Sequence, residues 1–239
     1  MTHSALAVIP ARGGSKRIPH KNIRLFHGKP MIAWTIAAVL QSGVFDEVIV
    51  STDCDEIAEV AQKEGASVPF VRPASLADDH TGLTAVVRHA IEWWRTHGRA
   101  PEIVACPYAT APFIRGSDLV KSVELLSQAP EADFVLAVSS FSAPVQRAII
   151  QGEGEWLQFL WPDFAELRSQ DACAAYHDAG HFFMGRADAF MRCPTTMSGK
   201  TLPHVIPRLL CQDIDTPEDW EHAVEVFSYL QNKKGGRYL

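Results

Sequence analysis

The feature that most constrains this chain is the alternation of short apolar runs with helix-patterned segments, which begins at Ala5-Leu6-Ala7-Val8-Ile9 and is punctuated by Pro10. A run that is apolar at every position suits a strand covered on both faces, as at the centre of a parallel sheet. Pro30 then opens a helix to about Ser42 that stops at Gly43, with proline at the start and glycine past the end. The pattern continues with Glu47 to Ser51 as a strand, Asp55 to Glu64 as a helix closed by Gly65, Ser67 to Val71 as a strand and Thr84 to His97 as a helix. Glu102 to Cys106 reads as a strand, Asp118 to Ser127 as a helix behind Ser117, and Asp133 to Val138 as a strand. Repeated βα units predict an α/β fold with a doubly wound, mostly parallel sheet. Ligands of such sheets lie beyond the carboxyl ends of the strands, so the loops after Ile9, Ser51, Val71 and Cys106 are where chemistry is expected.

The rhythm breaks between Ser139 and Gly185, where Trp156, Phe159, Trp161 and Phe164 bunch together. The segment at about 140–185 reads as an insertion in a single domain spanning 1–239, its aromatics serving either local packing or an oligomer interface. Cys211 to Asp215 reads as a short strand end. A helix follows from Pro217 to about Gln231, with Thr216 as N-cap, Pro217 at the first helical position and Asp219 as the acidic third residue. The tail Lys233 to Arg237 reads as a frayed end.

Composition narrows the class. With 47% apolar and 21% charged residues, a chain of this length buries about 70% of its unfolded surface. The five cysteines are odd in number and lack any C-x-x-C spacing, so a reducing cytoplasm fits better than a disulfide framework or zinc site. The apolar stretch Met31 to Leu40 falls short of the roughly 20 residues of a membrane span. The net charge of −6 hides an asymmetry: the first 45 residues carry six Lys/Arg and no acid, leaving −12 on the remainder. Such a split points to an anionic ligand or an interaction surface.

Four of those six cations fall in the loop Pro10-Ala11-Arg12-Gly13-Gly14-Ser15-Lys16-Arg17-Ile18-Pro19-His20-Lys21-Asn22. Adjacent glycines after a central strand let backbone N–H groups approach an oxyanion, while Arg12, Lys16 and Lys21 supply fixed charge. This is a phosphate cradle by composition, but neither the P-loop pattern nor the dinucleotide G-x-G-x-x-G. The second signal is Asp213-Ile214-Asp215. Carboxylates at i and i+2 of a strand share a face and repel unless neutralised; hard oxygen donors suit Mg²⁺, which takes one or two carboxylates together with substrate phosphates. Cationic donors plus a metal-binding pair make nucleotidyl transfer the expected class. His177 and His181 are four apart but lack the H-E-x-x-H pattern, and no G-x-S-x-G elbow supports covalent catalysis.

The string Ile9 to Ile23 resembles the N-terminal signature of the CMP-sialic acid synthetase family. Arg17-Ile18-Pro19, Tyr108-Ala109-Thr110-Ala111-Pro112-Phe113 and Tyr176-His177-Asp178-Ala179-Gly180 look most like its pseudaminic acid branch, and the likeness extends through Gly199-Lys200-Thr201 and Asp213 to Asp219. The resemblance implies a Rossmann-like nucleotidyltransferase that joins CTP to a nine-carbon acidic sugar with Mg²⁺, releasing pyrophosphate. By position, Ala11, Arg12, Gly13, Gly14, Ser15, Lys16, Lys21 and Asn22 would hold CTP, with Arg12 and Asn22 near the base and the lysines on phosphates. Arg72, with Thr81 to Thr84, would complete the base and ribose pocket. Asp213 and Asp215 would hold the metal and, with Arg12 and Lys21, form the catalytic set. Sialic acid users of the family have Gln where Tyr108 stands and Asn-Gly where Ala179-Gly180 stands. Tyr108, Thr110, Tyr176, Asp178, His181, Phe182 and Phe183 would therefore shape a more apolar sugar pocket, with His181 replacing the Gln expected in the pseudaminate branch. The family's projecting middle segment implies a homodimer through Gly154 to Phe164.

The expectation is a cytoplasmic cytidylyltransferase acting on pseudaminic acid, with legionaminic or N-acetylneuraminic acid as alternative substrates and a non-catalytic nucleotide-binding regulator as the alternative of another class. A nucleic-acid partner is disfavoured by the −12 remainder and the lack of an aromatic RNA-binding motif.

Overall fold

The computed structural model describes residues 4–233, so the tail expectation from Lys234 onward lies outside the described residues. The first strand, β1 (Ala5–Pro10), is buried from Ala5 to Ile9. Two very short strands, β2 (Leu25–Phe26) and β3 (Lys29–Pro30), lead into α1 (Met31–Ser42), and Gly43 closes that helix in the left-handed region at φ 66°. Then come β4 (Glu47–Ser51), α2 (Asp55–Lys63), α3 (Leu83–Thr96), β5 (Ile103–Pro107), α4 (Gly116–Gln128) and β6 (Phe134–Ser140). The hairpin β7 (Ile149–Gln151) and β8 (Leu157–Phe159) precedes β9 (Tyr176–Arg186), α5 (Ala187–Arg192), β10 (Thr201–Val205) and α6 (Pro217–Asn232).

Six strands form the main sheet in the order β10-β6-β9-β5-β1-β4. β1 pairs parallel with both β4 and β5, and β10 parallel with β6, whereas β9 runs antiparallel between β5 and β6. Side chains of β1 alternate between two layers: Ala5, Ala7 and Ile9 pack with α1, α2, α4 and α6, while Leu6 and Val8 pack with α3 and α5. The mostly parallel, two-faced α/β architecture is therefore the expected one. Because β1 has a parallel neighbour on each side, the crevice opens at its carboxyl end, where the basic loop begins.

Four local expectations are corrected. The segment 140–185 does not stay outside the sheet: residues 176–186 return as the central strand β9, and its mixed polar start obscures the strand pattern. Ser67 to Val71 makes only two isolated bridges, Ile49 to Ser67 and Thr52 to Val71, since Pro69 has no N–H for a ladder. Cys211 to Asp215 is coil, and the last strand is β10 instead, whose Pro203 is tolerated because β10 is an edge. Helix α4 starts at Gly116 with Arg115 as its cap residue, not behind Ser117; a Cβ at Gly116 would sit 3.1 Å from the Ala38 carbonyl of α1. By contrast, Thr216 and Asp219 form the expected capping box of α6.

The aromatic-rich excursion is not local core: Trp156 is 80% and Leu157 74% exposed. Within the sheet, Gly185 of β9 faces Phe134 of β6, and a Cβ there would collide with the Phe134 ring and lie 2.6 Å from the Asp133 carbonyl. Gly185→Ala is expected to destabilise the fold by about 1–3 kcal/mol through overpacking, read as a lowered midpoint in urea denaturation.

Candidate active site

The loop after β1 is built before any ligand enters it. The Ala11 N–H donates to the Ser51 carbonyl at 2.9 Å, and the Asn22 side chain donates to the Arg12 carbonyl at 2.9 Å. The Ile32 N–H of α1 donates to the Asn22 carbonyl at 2.8 Å. Asn22 is buried, so its side chain closes the loop from within. Gly13 passes close to Cys54, where a Cβ would come within 3.0 Å, and its N–H donates to Asp53 at 2.9 Å.

The loop borders a cleft of about 360 Å³. Arg12, Ser15, Lys16, Arg17, Lys21 and Asn22 form one wall; Arg72, Asp78, Asp79 and Thr81 face them; Tyr108, Thr110 and Asp215 complete the rim. Arg72 is buried and donates to the Ser51 hydroxyl at 3.1 Å and to the Ser51 carbonyl. Burial lowers its pKa below the ordinary guanidinium value, with the charge of Asp53 opposing that shift. Thr84 does not reach the cleft, but its neighbours Leu83 and Val86 do.

The basic loop and the acidic coil touch directly. Lys21 Nζ donates to the Ile214 carbonyl at 2.6 Å and lies 3.3 Å from Asp215 Oδ1, while Arg17 reaches Asp215 Oδ2 at 2.8 Å. Asp213 keeps contact with solvent, yet partial burial and then the charge of Asp215 hold its carboxyl above the usual carboxylate range. Among the described residues no three His, Cys, Asp or Glu side chains form a ready-made metal cluster. A pair of hard carboxylates in which one disfavours the other's charge fits a divalent cation that draws its remaining ligands from phosphates.

The residues read as a sugar pocket separate into two groups. Tyr108 donates from its hydroxyl to Asp178 Oδ2 at 3.1 Å, and the Gly180 N–H donates to Asp178 Oδ1 at 2.8 Å. Gly180 adopts φ +68°, which an L side chain would strain, and a Cβ there would be 3.6 Å from Asp213. Burial and the adjacent Asp178 raise the Tyr108 pKa, so the phenol stays protonated at neutral pH. Tyr176 and Asp178 are exposed at the start of β9. His181, Phe182 and Phe183 instead lie inside: His181 is fully buried with Nε2 2.8 Å from the Leu210 carbonyl, Phe182 packs in one core layer and Phe183 in the other. A central strand buries both faces, which removes these three from the cleft surface. The sequence reading missed Asp53, Asp78 and Asp79; their only signal is placement in loops after strands or near-strand segments.

The sequence profile of the family described as Cytidylyltransferase matches residues 6–152, which takes in the basic loop, Arg72 and Tyr108. The pseudaminic acid cytidylyltransferase of Campylobacter jejuni is 43% identical over 91% of this chain and 94% of its own length. The chain belongs to the cytidylyltransferase family. A CMP-N,N'-diacetyllegionaminic acid synthase of Legionella pneumophila is 34% identical over 90% of the chain and 92% of its own length. A solved CMP:2-keto-3-deoxy-manno-octonic acid synthetase, complexed with CTP, superposes with a TM-score of 0.68 at 20% identity, covering 95% of this chain and 99% of that one; at that identity the likeness speaks for the fold.

In this cytidylyltransferase the ionised Asp213 works against folding. Its folded pKa is raised, so the unfavourable contribution is absent at low pH and appears as pH rises through the ordinary carboxylate value of 3.8 and beyond. Asp213→Asn is expected to raise the thermal midpoint at pH 7 by a small margin, with the gap closing near pH 3; an equal gap at both pH values, measured by calorimetry, contradicts this.

Proposed function

We propose that this cytidylyltransferase transfers CMP from CTP to the anomeric hydroxyl of pseudaminic acid, releasing pyrophosphate. The observation that carries the reading is the contact of Lys21 with Ile214 and Asp215, which brings the basic loop and Asp215 of the acidic pair to one cleft. The 43% identical relative bearing the pseudaminic acid name supports the choice of sugar. So does the Tyr108–Asp178 hydrogen bond, since Tyr108 stands where the sialate pattern has Gln.

The sugar hydroxyl attacks the α-phosphorus in line, the bond to the bridging oxygen breaks and pyrophosphate departs, so positioning and charge neutralisation are the main demands. Lys21 is fixed by two acceptors and presents its remaining donor capacity to the triphosphate. Arg12 and Lys16 share the carboxylate of Asp79, which favours a reading in which Arg12 joins Lys16 on the phosphates. Buried Arg72 and the lining residue Thr81 bound the nucleoside end. Asp178, with both oxygens already oriented, accepts hydrogen bonds from amide or hydroxyl donors of the sugar. Asp213 and Asp215 would hold Mg²⁺, which would supply Lewis-acid neutralisation of the phosphate charge.

The enzyme acts as a homodimer in the cytoplasm. Exposed Ile149, Trp156, Leu157, Trp161 and Phe164 on the β7–β8 excursion supply an apolar face for a second copy. None of the five cysteines is paired, and among the described residues no helix is long and apolar enough to cross a membrane.

Pyrophosphate release from CTP, assayed with pseudaminate, legionaminate and N-acetylneuraminate, is expected to show the highest kcat/KM with pseudaminate; turnover of N-acetylneuraminate alone overturns the assignment. Asp213→Ala and Asp215→Ala should each lower kcat by about 10²-fold or more with the circular-dichroism spectrum unchanged, and EDTA should abolish turnover until Mg²⁺ is restored. Undiminished activity in both variants would favour a regulatory, non-catalytic role for the acidic pair.

A further inference from the structure

The cations of the cleft already hold carboxylates. Arg12 Nη1 lies 2.5 Å from Asp79 Oδ1, and Lys16 Nζ pairs with the other oxygen of the same group. Asp79 thus spreads its charge over two basic side chains of the loop, as a phosphate oxygen pair does. A second acid repeats the pattern on the backbone, where Asp53 accepts the N–H of Gly13. Asp79 belongs to the segment between Arg72 and α3. Its neighbours make local turns: Asp78 accepts from the His80 N–H at 2.8 Å and the Thr81 N–H at 2.7 Å, and the Thr81 hydroxyl reaches the Ser75 carbonyl at 3.4 Å. The segment is therefore tied at its base by the buried Arg72 and to the opposite wall by Asp79.

We propose that Asp79 is an internal competitor for the triphosphate: it neutralises Arg12 and Lys16 until CTP displaces it, and takes those cations back as pyrophosphate leaves. The proposal rests on the reading that Arg12 and Lys16 bind the phosphates of CTP. The strength of the contact suits this role. Side-chain exposures of 34% for Arg12, 80% for Lys16 and 37% for Asp79 describe ion pairs open to water, which contribute little each. A buried bridge of the same geometry would exclude the substrate; these exposed ones set a modest threshold that a triphosphate, with several negative charges against the carboxylate's one, crosses. Ligands without phosphates gain nothing from the exchange, so Asp79 determines how strongly the site discriminates by charge and how readily it lets pyrophosphate go.

The test compares the full-length wild type with the near-isosteric Asp79→Asn in calorimetric titrations of CTP, inorganic pyrophosphate and cytidine. CTP and pyrophosphate are expected to bind roughly 3- to 10-fold tighter to the variant, the range that two exposed ion pairs allow. Cytidine should change by less than about 2-fold, a difference too small for an ion pair of measurable strength. Product inhibition by pyrophosphate should strengthen in parallel, and the gain for CTP should shrink as added salt screens the pairs. Unchanged or weakened binding of CTP and pyrophosphate, which would make Asp79 a holder of the cations rather than a competitor, overturns the proposal. Equal tightening of cytidine overturns it as well. Arg12→Ala and Lys16→Ala separate the two levels: if they leave CTP affinity intact, the phosphate assignment itself fails, whereas if they weaken CTP while Asp79→Asn does not tighten it, only the competitor role fails. Asp79→Ala, carried through the same titrations, guards against a new hydrogen bond from the asparagine amide and should reproduce the tightening.

Discussion

The deepest contact that holds the acidic coil against the basic loop is made by Lys21, with Arg17 beside it on Asp215. The Lys21 ammonium donates to the Ile214 carbonyl and faces Asp215, residues 193 and 194 positions away in the chain, and it is largely withdrawn from solvent. A cation so placed does for the chain ends what a sheet ladder does elsewhere, because the coil before α6 has no strand partner of its own. The rest is arranged around that contact. Asn22 next to Lys21 closes the basic loop on Arg12, and the capping box of Thr216 and Asp219 stops the coil immediately after Asp215. The lysine is thus held from both sides by local structure.

The cost of this arrangement is local charge crowding. Asp213 is less comfortable ionised than an ordinary carboxylate because partial burial and Asp215 both oppose it, and Arg72 is partly desolvated beneath the cleft. On the opposite wall Asp79 is held ionised below the usual range by Lys16 and Arg12. Opposed pKa directions around one cleft are typical of functional sites, where burial and neighbouring charges pull ionisable groups away from their ordinary values. The β1 scaffold tolerates this because its own residues, Ala5 to Ile9, are fully covered on both faces.

Much of this was legible in the sequence, and the misses share a cause. β1, α1, β4, α2, α3, β5, α4, β6 and α6 follow from apolar runs and end signals because each is locally consistent. The strand β9 was not legible: its start is exposed and polar, its register with β6 shifts between Leu136 and Val138, and its strand character comes from lying between two partners distant in sequence. β10 contains a proline that only an edge position excuses. The family resemblance places His181, Phe182 and Phe183 in the sugar pocket, yet the strand carries them into the core, where His181 bonds Leu210.

By itself, the sequence determined the alternating α/β layers, the cationic glycine loop at the end of a central strand and the capped helix behind an acidic pair, because propensity, capping and charge composition act over a few residues. Only the tertiary structure decided which acids those cations meet. Asp79 comes from a connection whose proximity to the loop depends on how strands order in the sheet, and Asp215 reaches Lys21 across nearly the whole chain. Electrostatic pairing is a property of distance in space, and separation along the chain carries no record of it.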